Sequence, residues 1–428
     1  MPNPARTAAA FVLVAVVAAT GSVLPASPGS AATPEPVVSA VPAAGTWGTN
    51  GTIYSQLRLG GRLYIAGKFS ALVDPAGSAP DVPASNIAAL DAVTGRPVSG
   101  WSGGVPAGGT VFTLAASPDG QTLYAGGNFT FTAGDGTERR RLAAFDAATG
   151  NLSPWAGQAA AIVRALVVTN DKVVVGGDFA GGVKALDPVT GARISTFNVT
   201  TGPGCATTAC SGNVRALALS AAGDRIYVGG HFGTVNGAVR PAAAAVSVST
   251  GALDTRFAPP LTAEADPRDN VVLDFATQIP GHLYMAIGGY LNLVTDSDPI
   301  TGRERWRNYA DGDFQTVTAL GQWVYAGGHF SKYVIDHTGK RHFRVHAVRL
   351  DGASGGVDTA WQPVLNPVVT PHFFGVWSLI HDGVRLYAGG EFQTVDRAAR
   401  PSFALFRSSL SSRSAVPTTS PRTSPRTR

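Results

Sequence analysis

The sequence predicts an all-β protein, a seven-bladed β-propeller of four-stranded antiparallel blades, with the ring closed by an N-terminal strand. Two observations predict this fold. The chain has 52 Gly and 29 Pro with only 14% charged residues, a composition that favours many short strands joined by turns over helices. A motif built around Gly-Gly, with Ala-Gly in its first copy, also recurs seven times along the 428 residues.

The recurring motif consists of an aromatic or aliphatic residue, small residues, Gly-Gly, one variable residue and Phe, as in LYAGGNF and VYAGGHF. Its seven copies end at Phe69, Phe129, Phe179, Phe232, Leu291, Phe330 and Phe392. The six steps from the first copy to the last average about 54 residues, which is the length of a four-stranded blade. We therefore expect one blade for each copy.

Every copy has the same order of elements. A strand such as NVRALALS leads through a tight turn into the Gly-Gly strand, and a later strand ends in DxxTG and then an aromatic residue. Six copies end in this way, with Ser247 in place of Asp in the fourth copy and Ser354 in place of Thr in the sixth. Their aromatic residues are Trp101, Trp155, Phe197, Phe257, Trp306 and Trp361. The seventh blade lacks this piece, but Trp47 lies where a closing aromatic is expected. We infer that Val37 to Trp47 supplies the outer strand of blade seven and so removes exposed sheet edges.

The residues that repeat in every blade are expected to be structural. The first Asp of DxxTG can accept backbone N–H bonds, and the Gly four residues later supplies a positive φ. These Asp residues are Asp91, Asp146, Asp187, Asp298 and Asp351. The tryptophans at the repeat ends are expected to bury their faces between blades, with sugar stacking as the alternative.

Three segments are expected along the chain. Residues 1–32 resemble a signal peptide, since Arg6 precedes a short apolar run and Ser30-Ala31-Ala32 offers a cleavage site. Residues 33–407 form the propeller. Residues 408–428, rich in Ser, Thr, Pro and Arg, are predicted to be a disordered tail. No apolar stretch of about twenty residues follows the signal peptide, so we expect a secreted protein that is extracellular or associated with the cell wall.

The net charge of +5 is located at the two ends of the chain. Once Arg6 and four tail arginines are set aside, the remaining 28 Lys and Arg balance the 28 Asp and Glu. The tail arginines are Arg413, Arg422, Arg426 and Arg428. A neutral body argues against nucleic-acid binding, which needs a basic face on the folded domain.

The chain has two cysteines, Cys205 and Cys210, in a Gly-rich loop. In an exported protein, we expect them to form one local disulfide. Metal binding by this pair alone is disfavoured, because no nearby His or Cys completes a set of four ligands.

Functional residues are expected where the copies differ. The connections between strands two and three, and between successive blades, are long and should emerge on one face of the ring, which makes this face the candidate binding surface. The residue after Gly-Gly points toward it in each copy, and the seven are Lys68, Asn128, Asp178, His231, Tyr290, His329 and Glu391. Metal or acid/base chemistry by Asp178, His231, His329 and Glu391 is one interpretation, and ordinary polarity of solvated strand ends is the other. We assign no metal and no catalytic residue.

A second candidate set follows the first Val or Ile of each inner strand. Its members are Tyr54, Phe112, Arg164, Arg215, Leu273, Thr318 and Trp377. Inner strands line the central channel of a propeller, so arginines and aromatics at its mouth could hold a planar or anionic ligand, such as a sugar acid or another carboxylate. Packing and salt bridging between blades is the alternative. We prefer this set for ligand binding because it requires no catalysis.

The densest His cluster is DHTGKRHFRVH, with His337, His342 and His346, and its spacing matches no metal motif. We expect this segment to be a solvated loop or an exposed edge.

The pattern LYAGGxF, LAALDxxTG and Trp resembles the bacterial delta-60 type propeller repeats over residues 45–406. Gly-Gly at the end of the second strand is also kelch-like, and ALDxxTGxxxxW is similar to the repeat of quinoprotein dehydrogenases. The first resemblance implies a secreted or cell-surface propeller. The last would imply a quinone enzyme of eight blades with adjacent cysteines, but four residues separate Cys205 from Cys210 and seven copies are present. We therefore expect no cofactor.

Two functions remain open at this point. The favoured hypothesis is a monomeric extracellular module that binds a carbohydrate, a carboxylate or a protein on its long-loop face. The alternative is a propeller hydrolase or lyase that acts on extracellular polysaccharides or esters through acidic and His residues on that face.

Overall fold

The computed structural model describes residues 37–203, 212–261, 270–366 and 375–408. The predicted signal peptide, residues 409–428 of the predicted tail and the Cys205–Cys210 disulfide lie outside the described residues. The described part of the chain is all-β and contains no helix. It therefore offers no helix that could cross a membrane.

The first seventeen strands are β1 (Val38–Pro42), β2 (Gly48–Thr49), β3 (Thr52–Leu59), β4 (Arg62–Lys68), β5 (Ala71–Val73), β6 (Val82–Pro83), β7 (Ile87–Asp91), β8 (Thr110–Ala116), β9 (Thr122–Thr132), β10 (Glu138–Asp146), β11 (Val163–Val168), β12 (Val173–Gly177), β13 (Val183–Leu186), β14 (Thr201–Gly202), β15 (Asn213–Leu219), β16 (Arg225–His231) and β17 (Thr234–Val235). They are followed by β18 (Ala238–Val239), β19 (Ala243–Ser247), β20 (Asn270–Ala276), β21 (Leu283–Gly289), β22 (Leu293–Ser297), β23 (Glu304–Ala310), β24 (Phe314–Leu320), β25 (Trp323–Gly328), β26 (Val334–Ile335), β27 (Arg341–His342), β28 (Ala347–Asp351), β29 (Leu365–Asn366), β30 (Val376–His381), β31 (Arg385–Gly390), β32 (Thr394–Val395), β33 (Ala398–Ala399) and β34 (Phe403–Ser408).

Seven antiparallel sheets in the described residues each contain one Gly-Gly strand at the centre of a three-strand unit. In chain order these units, here called sheets 1 to 7, are β3-β4-β7, β8-β9-β10, β11-β12-β13, β15-β16-β19, β20-β21-β22, β24-β25-β28 and β30-β31-β34. The Gly-Gly strands are almost entirely buried, because small residues let neighbouring sheets approach closely. The sequence repeat therefore corresponds to a structural repeat.

The prediction of four strands in every repeat is wrong for five of the seven sheets. In sheets 1, 2, 3, 4 and 6 the segment after the DxxTG turn forms a single bridge instead of a ladder, as between Leu90 and Pro97. Sheet 5 has a full fourth strand, since β23 pairs with β22 from Leu293 to Ser297. Sheet 7 gains its fourth strand from the other end of the chain.

That fourth strand is β1, which pairs antiparallel with β34 from the C-terminal end of the described chain. Val38 is 1% exposed and packs with Trp361 and Phe406, whereas Val41 on the same strand is 72% exposed. Trp47 lies beyond β1 and is buried among residues of sheets 1 and 7, including Tyr387. The N-terminal segment thus completes sheet 7, as the sequence predicts.

Adjacent sheets are joined by hydrogen bonds from aromatic side chains to the DxxTG turns. The Tyr64 hydroxyl of sheet 1 donates to the carbonyl of Ala147 in sheet 2 at 2.5 Å. The Trp155 indole donates to the carbonyl of Asp187 at 3.0 Å. The Trp361 indole donates at 3.2 Å to the carbonyl of Ser39, which lies on β1 and not in a turn. The predicted burial of Trp155, Trp306 and Trp361 is confirmed, and Trp101 is half-buried.

The DxxTG turns have the predicted geometry. Asp146 Oδ1 accepts hydrogen bonds from both the backbone N–H and the hydroxyl of Thr149, at 2.7 Å each. These hydrogen bonds lower the pKa of Asp146. Gly150 has a φ of 82°, and the other four DxxTG turns also have Gly at positive φ in the same position.

The first strands of the seven sheets lie side by side. Each contacts the first strand of the next sheet, and β30 of sheet 7 contacts β3 of sheet 1. Side-chain oxygens connect several of these neighbours: Asp274 Oδ2 accepts from the Val317 N–H at 3.0 Å, and Thr316 Oγ1 accepts from the Leu379 N–H at 3.1 Å.

The long connections pair with one another at one end of the sheets. β2, which precedes the first strand of sheet 1, pairs with β5, which follows its second strand. The same pairing recurs between β14 and β17 and between β29 and β32. Both classes of long connection therefore lie at the same end, and in sheets 1, 4 and 7 strands of two or three residues join them into small sheets.

Candidate functional site

The first strand of each of the seven sheets contains a β-bulge close to its N-terminal end. The bulge displaces one residue from the ladder, as between Ile53 and Ser55, where Tyr54 has no partner opposite it on β4. A bulge bends the strand and turns one side chain away from its regular position. The bulged residues are Tyr54, Phe112, Arg164, Arg215, Leu273, Gln315 and Trp377.

These seven bulged residues, one from each sheet, line a single cavity of about 340 Å³. It opens at the end of the sheets that carries the long connections, because the bulges lie at the strand ends next to those connections. A second cavity of about 210 Å³ continues from it along the first strands. The structure therefore brings together six of the seven residues predicted from the inner strands, namely Tyr54, Phe112, Arg164, Arg215, Leu273 and Trp377.

The predicted position in sheet 6 is wrong. The sequence points to Thr318, but this residue lies in the regular part of β24 opposite Tyr325 and is buried. The bulged residue is Gln315, which follows Phe314. In the other six sheets the bulged residue follows Val or Ile. In sheet 6 it follows the aromatic Phe314, so counting from the first Val gave the wrong position.

Aromatic rings form one continuous part of the cavity wall. The Tyr54 ring lies 5.1 Å from the Phe112 ring and 5.3 Å from the Trp377 ring, measured between centroids. The second contact is edge-to-face, which is a favoured arrangement of aromatic pairs. Sheets 7, 1 and 2 thus supply an apolar arc of three adjacent rings.

Two arginines from sheets 3 and 4 form the next part of the wall. Arg164 donates from Nε and Nη2 to Oδ2 of Asp178, at 3.1 and 2.9 Å, and its guanidinium lies 4.6 Å from the centre of the Phe112 ring. Arg215 forms no ion pair within 4.0 Å in the described part of the chain. Burial, and then the positive charge of Arg164, lower the pKa of Arg215, while Asp178 opposes this shift.

Three of the residues that follow Gly-Gly are connected to this wall. Asp178 binds Arg164, and His329 contacts the Trp377 ring edge-to-face at 4.8 Å. Glu391 accepts a hydrogen bond from the Thr52 hydroxyl at 2.8 Å. Burial, followed by the negative charge of Glu391, raises the pKa of the Tyr54 hydroxyl. The two candidate sets, separate in the sequence, are therefore joined in one site.

The other members of the Gly-Gly set have different surroundings. Lys68 and Asn128 are exposed, and Asn128 accepts a hydrogen bond from Arg141. His231 is half-buried at the end of β16. Among the described residues no three His, Cys, Asp or Glu side chains come together as a set of metal ligands.

The predicted His-rich solvated loop is only partly exposed. His337 is exposed, but His342 is buried, and its Nε2 lies 2.8 Å from Oδ2 of Asp336. His346 is also buried, and its Nδ1 lies close to the carbonyl oxygen of Leu365. Both buried histidines hold the connection between β25 and β28 in place.

A separate cavity of about 440 Å³ lies on sheet 1, between Phe69, the edge strand β7 and Trp101. Its wall is formed mainly by apolar side chains and backbone, and it contains no charged side chain. It is larger than the cavity lined by the bulged residues but offers less chemistry for recognition.

No known family model matches this chain, and no curated protein matches its sequence.

Proposed function

We propose that this chain is an exported seven-bladed β-propeller that binds an extracellular ligand at the end carrying its long connections, without catalysing a reaction. Seven sheets with a common internal order support the propeller, as do the contacts of each first strand with the next and of β30 with β3. In this architecture β1 is the strand that fastens the ring. The bacterial delta-60 type propellers are the class that the repeat resembles.

The observation that carries the binding proposal is the cavity to which every sheet contributes one bulged side chain. Its volume of about 340 Å³ is at the lower end of the range for small-molecule sites, about 300–1,000 Å³. Its wall combines aromatic rings with two arginines, residue types that dominate binding energies. Rigid strands hold these side chains, so little ordering is needed when a ligand binds.

The test is a binding screen on the exported chain, using glycan and peptide arrays followed by isothermal titration calorimetry. The cavity variants are R164A, R215A and W377A, made singly. We expect each of them to weaken binding of any ligand found by about tenfold or more. A ligand that binds all three variants as tightly as the unmodified chain would place the site elsewhere.

A further inference from the structure

The order of the sheets gives the cavity two chemically different sides. The aromatic arc comes from the adjacent sheets 7, 1 and 2, and the arginines come from sheets 3 and 4. The first strands contact one another in chain order, and β30 contacts β3, so two other sheets come between Arg215 of sheet 4 and either Trp377 of sheet 7 or Tyr54 of sheet 1. A ligand in the cavity therefore meets a cation on one side and apolar rings on the other.

The charges on the wall favour one negative charge on the ligand. Arg164 is already neutralised by Asp178 at 2.9 Å, while Arg215 has no ion pair in the described part of the chain. Half-buried between its neighbours, the guanidinium of Arg215 experiences the repulsion of Arg164. A carboxylate beside Arg215 would relieve this repulsion and accept charge-assisted hydrogen bonds.

We propose that the ligand is a small monocarboxylate with one ring, whose carboxylate binds Arg215 and whose flat apolar face packs against the Tyr54, Phe112 and Trp377 arc. This inference rests on the proposed binding function and specifies its ligand. Asp178 and Glu391 near the rim disfavour ligands with two negative charges, because only one positive charge of the wall is left uncompensated. The volume of about 340 Å³ suits a single ring with its substituents.

Two kinds of molecule carry this chemistry, sugar acids and aromatic acids, and matched probes distinguish them. Glucuronate is compared with glucose, and benzoate with benzyl alcohol, so that each pair differs in the carboxylate. Inorganic phosphate serves as the anion without an apolar face. Titration calorimetry or ligand-observed NMR on the full exported chain gives the five dissociation constants.

We expect at least one acid to bind about tenfold or more tightly than its neutral partner, and phosphate to bind weakly. The R215Q variant should remove this preference for the acid and leave the affinity for the neutral compound within about twofold. R256Q is the matched control, since Arg256 is 64% exposed on a turn of sheet 4 and pairs with Asp254. It should retain the preference of the unmodified chain.

The outcomes separate this inference from the proposal on which it rests. If the neutral compounds bind as tightly as their acids and W377A abolishes binding, the ligand is not a monocarboxylate but the cavity is still the binding site. An acid preference that survives in R215Q would overturn the role of Arg215. Failure of all five probes to bind would overturn the monocarboxylate, and the array screen would then decide whether the cavity binds any ligand.

Discussion

The hydroxyl of Tyr387 lies 2.9 Å from the carbonyl oxygen of Ala92, and these two residues are separated by 295 positions in the chain. The contact joins sheet 7 to the DxxTG turn of sheet 1. It repeats the bond by which Tyr64 joins sheet 1 to sheet 2. The last sheet is therefore connected to the first by the same kind of hydrogen bond, from a Tyr hydroxyl to a turn carbonyl, that connects sheet 1 to sheet 2.

The N-terminal strand should be necessary for the stability of sheet 7. We expect V38D to lower the free energy of unfolding by at least about 2 kcal/mol, because it places a carboxylate in the apolar contact with Trp361 and Phe406. V41D, on the exposed side of the same strand, should change it by less than about 0.5 kcal/mol. Urea denaturation of both variants measures the difference, and equal midpoints would mean that β1 does not hold the sheet.

The turn glycines should tolerate substitution according to the space around them. A Cβ at Gly150 would lie 2.3 Å from the backbone nitrogen of Gly103, whereas a Cβ at Gly223 meets nothing within 4 Å. Both have positive φ, so each Ala variant bears a strain of about 1–2 kcal/mol. We expect G150A to have a clearly lower melting temperature than G223A in thermal unfolding. A higher melting temperature for G150A would contradict the close contact between Gly150 and Gly103.

Asp274 should make stability depend on pH. Burial raises the pKa of this carboxyl to about 6, against hydrogen bonds from Val317, Thr316 and Phe275 that lower it. The folded protein therefore holds the proton more tightly than the unfolded chain, whose Asp has a pKa near 3.9. Stability contributed by the protonated form is present below about pH 4 and is lost as the pH rises toward 6.

The D274N variant removes this titration and keeps an oxygen that can accept from Val317. We expect D274N to be more stable than the unmodified chain at pH 7.5, by less than about 3 kcal/mol, because a carboxyl pKa raised from about 4 to about 6 corresponds to about that free energy. Below pH 4 the difference should vanish. Denaturation at pH 3.5, 5 and 7.5 measures it, and an advantage that grows as the pH falls would contradict the assignment.

Asp178 should limit the contribution of Arg164 to ligand binding. D178N removes the negative charge that pairs with Arg164, so a second uncompensated arginine faces the ligand. We expect every acid that binds the unmodified chain to bind D178N about threefold to tenfold more tightly. D171N is the control, since Asp171 is 70% exposed in the turn of the same hairpin and should leave affinity unchanged. Titration calorimetry checks both. Weaker acid binding in D178N would show that the ion pair is needed to shape the site.

Much of the fold could be predicted because the repeat is local. Gly-Gly strands, tight turns and DxxTG each have a conformation that the residues themselves require, and Gly95 and Gly150 adopt the positive φ expected of them. The fourth strand could not be predicted in this way. The segment after each turn is apolar enough to resemble a strand, but after one bridge at Pro97 or Leu152 the chain turns away to bury its aromatic residue.

The candidate site could be predicted in part for a related reason. Counting from Val or Ile finds Tyr54 and Arg164, because a bulge at a fixed offset exposes the next residue. It fails at Gln315, where Phe314 replaces the aliphatic residue. The connection between Arg164 and Asp178 depends on the antiparallel register of β11 and β12, which spacing along one chain does not reveal.

The most direct test of this account is an experimental structure of the exported chain bound to the acid of highest affinity. The account predicts density between Arg215 and the aromatic arc of Tyr54, Phe112 and Trp377, with the carboxylate within hydrogen-bonding distance of the Arg215 guanidinium. Ligand density in the cavity between Phe69 and Trp101 on sheet 1, with no ligand in the cavity lined by the bulged residues, would contradict it.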